Sequence, residues 1–130
     1  MIFNQPIYLD THIVVWLYEN KLSNFKQNLL EIMDNNALLV SPMVRLELQY
    51  LYEIKRINDN SDKILNELSQ SIELTVCGKN WNDIVTIANA IDFTRDAFDR
   101  LIVAHAKLNN NYLISKDTSI RQNYSNTLWF

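Results

Sequence analysis

The sequence contains one glycine, Gly78, and one cysteine, Cys77, among its 130 residues. The phosphate-binding loop of P-loop proteins and the dinucleotide-binding fingerprint both need several glycines for close backbone approach, so these nucleotide-binding classes are disfavoured. One cysteine and two widely separated histidines also argue against a zinc site and exclude an internal disulfide. The low cysteine content fits a cytoplasmic location. Cys77 itself is interpreted as a small hydrophobic residue at a strand end.

Long apolar runs are also lacking. No run approaches the roughly 20 residues that span a bilayer, and the amino terminus has no basic segment followed by an apolar stretch, which argues against a secretory signal. The hydrophobic fraction of 48% and the charged fraction of 21% are ordinary for a soluble globular protein. We therefore expect a single domain over residues 1–130, without a membrane segment.

Net positive charge is absent as well. The formal charge of −3 does not suit a nucleic-acid-binding protein at first sight. The total is misleading if several acids are concentrated in one site, because without five such acids the twelve basic residues outnumber the remaining ten. The charge balance therefore neither supports nor forbids a phosphodiester substrate.

Short apolar segments alternate with helical patterns along the chain. This order predicts a parallel sheet covered by helices on both faces. We expect strands near residues 7–9, 37–40, 72–76 and 112–114, with a short fifth strand near 128–129. Helices are expected near residues 11–19, 23–35, 42–57, 61–71, 80–90 and 96–109, the first capped by Thr11.

Four acidic residues stand where an isolated acid is hard to explain. Asp10 and Asp117 each follow a predicted strand, so both lie at the sheet edge where parallel sheets bind ligands. Either of these two could equally be an ordinary cap or turn residue. Glu47 lies on the apolar helical face of Met43, Tyr50 and Ile54, and Arg45 is on the wrong side of the helix to pair with it.

Asp99 is the fourth of these acids, and Asp96 lies one helical turn before it. The spacing of Asp96 and Asp99 resembles a capping box at the start of a helix, where acids suit the helix dipole. That explanation is stronger for Asp96, because Asp99 shares its helical face with the small apolar residues Val103 and Ala106. His12 and His105 are interpreted as structural, since neither has a nucleophile at a recognisable elbow.

Buried carboxylates are rare unless they are paired or bind a cation. If the fold brings Asp10, Glu47, Asp99 and Asp117 together, the product is an oxygen-ligand site of the kind that Mg²⁺ or Mn²⁺ prefers. The residues therefore point to a metal-dependent hydrolase.

The chain resembles the PIN-domain ribonucleases, and specifically the VapC-like toxins, over essentially its whole length. The resemblance rests on four segments in the same order, namely residues 8–12 (YLDTH), 41–48 (SPMVRLEL), 95–106 (RDAFDRLIVAHA) and 113–117 (LISKD). Two departures, Ala97 in place of a frequent proline and Lys116 in place of a frequent arginine or threonine, remove no acid.

The resemblance implies a three-layer α/β/α sandwich with a short parallel sheet of four to five strands. It also implies an Mg²⁺- or Mn²⁺-dependent endoribonuclease that is held in check by a small antitoxin and forms a homodimer. Asp10 and Asp99 would be the main metal ligands, while Glu47 completes the shell and Asp117 supports a second metal or positions the nucleophile. Asp96 and Ser115 would be auxiliary.

Other functions fit these residues less well. A non-catalytic interaction module with the same fold would be favoured by the loss of one of the four acids, and none is missing. A phospho-acceptor domain would need a pair of acids after the first strand, and an aspartyl phosphatase would need Asp-x-Asp there. The first strand is followed by Asp10, Thr11 and His12, which include no pair of acids, and His12 stands where Asp-x-Asp would have its second aspartate.

Overall fold

A five-stranded parallel sheet forms the centre of the molecule in the computed structural model, which describes residues 2–130. The strands lie side by side in the order β3-β2-β1-β4-β5, and every neighbouring pair is parallel. Their bounds are β1 (Ile7–Leu9), β2 (Leu38–Val40), β3 (Thr75–Val76), β4 (Leu113–Ile114) and β5 (Thr127–Leu128). The predicted α/β fold with a short parallel sheet is confirmed.

Seven α-helices connect and cover these strands within residues 2–130. They are α1 (Thr11–Tyr18), α2 (Gln27–Asp34), α3 (Pro42–Glu53), α4 (Ser61–Ile72), α5 (Trp81–Asn89), α6 (Ala97–Lys107) and α7 (Thr118–Asn123), with a short 3-10 helix at Leu22–Asn24. All three residues of β1 are fully buried. Because successive strand residues point to opposite faces, both faces of the sheet must be covered. No helix in this part of the chain is both long and apolar enough to cross a bilayer.

Three sequence-based boundaries were wrong. The strand expected at 72–76 begins only at Thr75, because α4 continues to Ile72. Glu73 caps this helix with a left-handed backbone (φ 57°). A short alternating pattern fits a helix end as well as a strand start. The helix expected to reach residue 57 ends at Glu53, and the one expected at 23–35 is divided between the 3-10 helix and α2.

The helix α7 was not predicted at all. It has six residues, of which only Ile120 is buried, so it carries too little apolar periodicity to be recognised. The cap of α1 was also assigned to the wrong residue. Asp10, and not Thr11, is the N-cap, because the Asp10 side chain accepts the hydrogen bond from the Thr11 N–H.

The order of the strands reverses between β1 and β4. From β1 the chain builds outwards to β2 and β3 on one side, and then returns to place β4 and β5 on the other. The Asp10 N–H donates to the Ile114 carbonyl at 3.0 Å, which joins the carboxyl ends of β1 and β4. Open parallel sheets bind ligands beyond the strand ends at such a reversal.

The opposite ends of these strands are tied by Asn111. Its Nδ2 donates to the Pro6 carbonyl at 2.9 Å, and its Oδ1 accepts from Lys79 Nζ at 2.8 Å. The Tyr124 hydroxyl donates to the Asn111 carbonyl at 2.6 Å. Cys77 is buried after β3, as expected, and its Sγ accepts a hydrogen bond from a tyrosine of β1. These contacts hold β1 and β4 in register, and so position the residues that follow them.

Candidate active site

Asp10 lies at the reversal point of the sheet and is almost completely buried, with 7% of its surface exposed. Its Oδ1 accepts from the Thr11 N–H at 2.8 Å, and its Oδ2 accepts from the Ser115 hydroxyl at 2.6 Å. Burial raises the pKa of the Asp10 carboxyl, and these two hydrogen bonds offset part of that rise. Both carboxylate oxygens of Asp10 therefore have fixed positions at the carboxyl end of β1.

Ser115 and Asp117 extend the site from the neighbouring strand β4. Besides donating to Asp10, the Ser115 Oγ accepts from the Asp117 N–H at 3.1 Å. Asp117 is exposed and is the N-cap of α7, because its Oδ1 accepts from the Ile120 N–H at 2.9 Å. Ser115 thus connects the first and last of the predicted acids through one buried hydroxyl.

Glu47 approaches the site from α3 and is half-buried. Its Oε1 accepts a hydrogen bond from the hydroxyl of Thr11, the residue that follows Asp10. Burial raises the pKa of the Glu47 carboxyl, and the Thr11 hydrogen bond opposes that rise. The prediction that Glu47 does not pair with Arg45 agrees with the structure, where Arg45 contacts Asp62 at 3.1 Å.

Asp99 approaches from the first turn of α6. Burial raises the pKa of its carboxyl to about 7, and the rise is increased by four neighbouring carboxylates, those of Asp96, Asp10, Asp117 and Glu47. Asp96 is exposed and is the N-cap of α6, since its Oδ1 accepts from the Asp99 N–H at 3.0 Å. The capping explanation of Asp96 is therefore correct, and it does not remove Asp96 from the site.

These acids face one cleft of about 470 Å³. The structure brings together all four predicted acids and Asp96, and the same cleft is lined by four residues that sequence reasoning did not select, namely His12, Trp16, Lys116 and Thr118. A larger groove of about 920 Å³ lies between α1, α2 and α4, but its lining mixes apolar and amide side chains without such a concentration of acids. Chemistry rather than size therefore identifies the candidate site.

The sequence carried weak signals for the residues that were missed. His12 was interpreted as structural, but it is exposed and lines the cleft. His12 and Trp16 are four residues apart on α1 and therefore lie on the same helical face. Once Asp10 is recognised as the cap of α1, this face could have been expected to border the site. His105 is buried as expected, with Nδ1 2.9 Å from both Ser41 Oγ and the Leu101 carbonyl. Its Nε2 has no hydrogen-bond partner among the described residues, and its ring packs on Trp81, so the hydrogen-bonding capacity of His105 is not fully satisfied there.

The donor atoms of the cleft suit a hard divalent cation. They are carboxylate oxygens, the ligands that Mg²⁺ and Mn²⁺ prefer, and no salt bridge within residues 2–130 joins Asp10, Glu47 or Asp99 to a lysine or arginine. No three of the described His, Cys, Asp or Glu side chains are arranged to hold a metal ion directly. To bind a cation together, these acids would therefore have to move from the positions that they have in this structure.

Comparison with known proteins identifies the family. The sequence-family model of the PIN domain matches residues 7–125, which is nearly the whole chain. The chain belongs to the PIN domain family. A search of curated protein sequences found no match. Among solved structures, this PIN domain is similar to VapBC2 from Rickettsia felis bound to a promoter DNA fragment, with 20% identity, full coverage of both chains and a TM-score of 0.69.

Two further solved structures share the fold. VapBC-1 from nontypeable Haemophilus influenzae has 20% identity to this PIN domain, with 100% of this chain and 97% of the other covered and a TM-score of 0.66. A toxin–antitoxin complex from Klebsiella pneumoniae has 15% identity, with coverage of 95% and 96% and a TM-score of 0.61. These identities are low, and the likeness establishes the three-layer PIN fold.

The raised pKa of Asp99 makes a prediction about the metal-free protein. The folded protein keeps a proton on Asp99 up to about pH 7, whereas the unfolded chain releases it near the ordinary value of 3.8. Asp99 therefore lowers the free energy of unfolding as pH rises from about 4 to 7, and has no further effect above that range. We expect the metal-free Asp99→Asn variant to gain stability relative to the parent over this interval.

Urea unfolding in the presence of EDTA, at the two ends of this pH range, measures the difference. The exposed acid Asp83 on α5 lies outside the cleft, so Asp83→Asn is the matched control substitution. A pH-independent difference between the parent and Asp99→Asn would show that the Asp99 carboxyl is not destabilised by its surroundings.

Proposed function

We propose that this PIN domain is a metal-dependent endoribonuclease that hydrolyses RNA phosphodiester bonds. The observation that carries the proposal is the cleft at the sheet reversal. Asp10, Glu47, Asp99 and Asp117 face it, and none of them forms a salt bridge with a lysine or arginine in the part of the chain that the structure describes. Buried carboxylates without a counter-charge are costly, so a site that keeps them is suited to bind cations.

Asp10 and Asp99 are the proposed principal ligands of Mg²⁺ or Mn²⁺, because they approach the cleft from the sheet edge and from α6. Glu47 would complete the shell, and Asp117 would support a second ion or position the nucleophile. When bound, such an ion supplies a water of lowered pKa and stabilises charge on the phosphate oxygens. Asp96 is auxiliary in this proposal.

Two hydroxyl groups position these carboxylates. The Ser115 hydroxyl fixes Asp10 Oδ2 at 2.6 Å, and the Thr11 hydroxyl fixes Glu47 Oε1. Groups that orient ligands in this way commonly change metal affinity or activity by about 10- to 100-fold when they are removed. Ser115 is therefore proposed to be a positioning residue.

Cleavage of RNA tests the proposal directly. With purified protein, RNA and Mg²⁺, we expect Asp10→Asn and Asp99→Asn to lower the cleavage rate by more than about 100-fold, because each removes a ligand, and Ser115→Ala by about 10- to 100-fold. Asp83→Asn is the matched control and should cleave at the parent rate. Cleavage that survives in Asp10→Asn would reject the site, and the absence of cleavage by the parent would favour the alternative, a non-catalytic PIN-fold interaction module.

Thermal melting tests metal binding separately from turnover. Saturating Mn²⁺ should stabilise the parent, by about 2.7 kcal/mol at a hundredfold excess over Kd, and should have little effect on Asp99→Asn. Asn caps a helix as well as Asp does, so Asp96→Asn removes the charge of Asp96 but keeps the cap of α6. We expect this variant to retain most of the stabilisation by Mn²⁺. An equal rise in the melting temperature of the parent and Asp99→Asn would contradict the proposed ligands.

We also propose that the domain is the toxin of a toxin–antitoxin pair, that a small antitoxin inhibits it, and that it forms a homodimer in the cytoplasm. The support is the shared fold with the VapBC and toxin–antitoxin structures. Expression of the parent should arrest growth, and expression of Asp10→Asn should not. Co-expression of the small protein encoded by the adjacent reading frame should restore growth and co-purify with the domain. Arrest that is equally strong with Asp10→Asn would contradict toxicity by cleavage.

A further inference from the structure

One side of the candidate cleft carries a basic side chain. Five acids line it, and Lys116 is the one lysine or arginine among the described residues that do so. A polyanion such as RNA is repelled by carboxylates wherever a divalent ion does not neutralise them. A basic side chain in this position is therefore the natural contact for a second part of the nucleic acid.

The ammonium group of Lys116 is held by an aromatic ring and not by an acid. Its Nζ lies 5.5 Å from the centre of the Trp16 ring, within the range of a cation–π interaction. Lys116 takes part in no salt bridge within residues 2–130, although it directly precedes Asp117. Simple neutralisation of the acidic cluster would be expected to place the ammonium on a carboxylate, so charge balance alone does not account for this position.

Trp16 is a rigid support for this lysine. The ring is partly buried and packs against Trp129 at 6.0 Å and Phe25 at 5.9 Å between ring centres. Trp16 and Trp129 are therefore packing residues on this side of the molecule. Because its ring is already packed on Phe25 and Trp129 and lies under Lys116, Trp16 is better placed to fix the lysine than to stack on a base.

We propose that Lys116 binds a backbone phosphate of the RNA next to the scissile one, and that Trp16 holds the Lys116 ammonium at the cleft wall for this contact. The inference rests on the nuclease function proposed above. A lysine ammonium is a compact charge suited to a single phosphate. A phosphate contact positions the strand without reading its sequence, so Lys116 contributes affinity and register, whereas base preference arises elsewhere.

Salt-dependent binding of a labelled single-stranded RNA tests this inference without turnover. The measurement uses Asp99→Asn protein in EDTA, which prevents cleavage and removes one repulsive acid. Adding Lys116→Gln should weaken binding and reduce the slope of log K against log salt by about 0.7, the value for one phosphate contact on a single strand. Lys116→Arg should preserve the slope, because the charge is retained.

The control is Lys107→Gln, which removes one positive charge away from the cleft. Lys107 is exposed at the end of α6, about 12 Å along the helix axis from Asp99. This change should leave the slope unaltered. In the otherwise unchanged protein with Mg²⁺, Lys116→Gln should raise KM and leave kcat near the parent value, which distinguishes substrate binding from a structural effect on the site. Equal melting temperatures of the Lys116→Gln and Lys116→Arg proteins confirm that both are folded.

The outcomes separate this inference from the nuclease proposal. An unchanged slope in Lys116→Gln, or an equal change in Lys107→Gln, would overturn the role of Lys116. If the slope falls as expected but the parent does not cleave RNA with Mg²⁺, the phosphate contact stands and the nuclease function fails.

Discussion

The hydrogen bond between the Ser115 hydroxyl and Asp10 Oδ2 joins residues 105 positions apart, and the candidate site depends on it. It crosses from β4 to β1 at the point where the strand order reverses. It accompanies the burial of a carboxylate that forms no salt bridge with a lysine or arginine within residues 2–130. Burial disfavours the ionised form of Asp10, and hydrogen bonds to both of its oxygens favour it. Burial of Asp10 between β1 and β4 therefore both fixes the position of this carboxylate and makes its negative charge costly unless a cation is bound.

Helix starts make this concentration of acids tolerable. Asp10, Asp96 and Asp117 are the N-caps of α1, α6 and α7, and each uses its Oδ1 to accept a backbone N–H. The positive end of the helix dipole favours a carboxylate at such a position. Capping and cation binding are therefore compatible roles of one residue, because the cap occupies a single oxygen. The observed caps therefore do not argue against cation binding by Asp10, Asp96 or Asp117.

The four acids could be selected from the sequence because each violated a local expectation. Asp10 and Asp117 followed apolar strands, while Glu47 and Asp99 interrupted apolar helical faces, and all four face the same cleft. No local sequence pattern singled out Lys116, Trp16 or His12, because a surface lysine, a packing tryptophan and a histidine near a helix cap are all common. Their significance comes from sharing a cleft with the acids. The helix α7 was missed for a related reason, as its six residues bury only Ile120.

The sequence by itself determined the α/β class, the parallel sheet, and the candidate acids, because these follow from periodicity over a few neighbouring residues. Only the tertiary structure decided that Asp10 is buried against Ser115, that Thr11 holds Glu47, and that the Lys116 ammonium lies over Trp16. These contacts join segments 36 to 105 residues apart. Local periodicity specifies which face of an element is buried, but not which distant side chain meets it there, because that depends on strand order and on helix packing across the sheet.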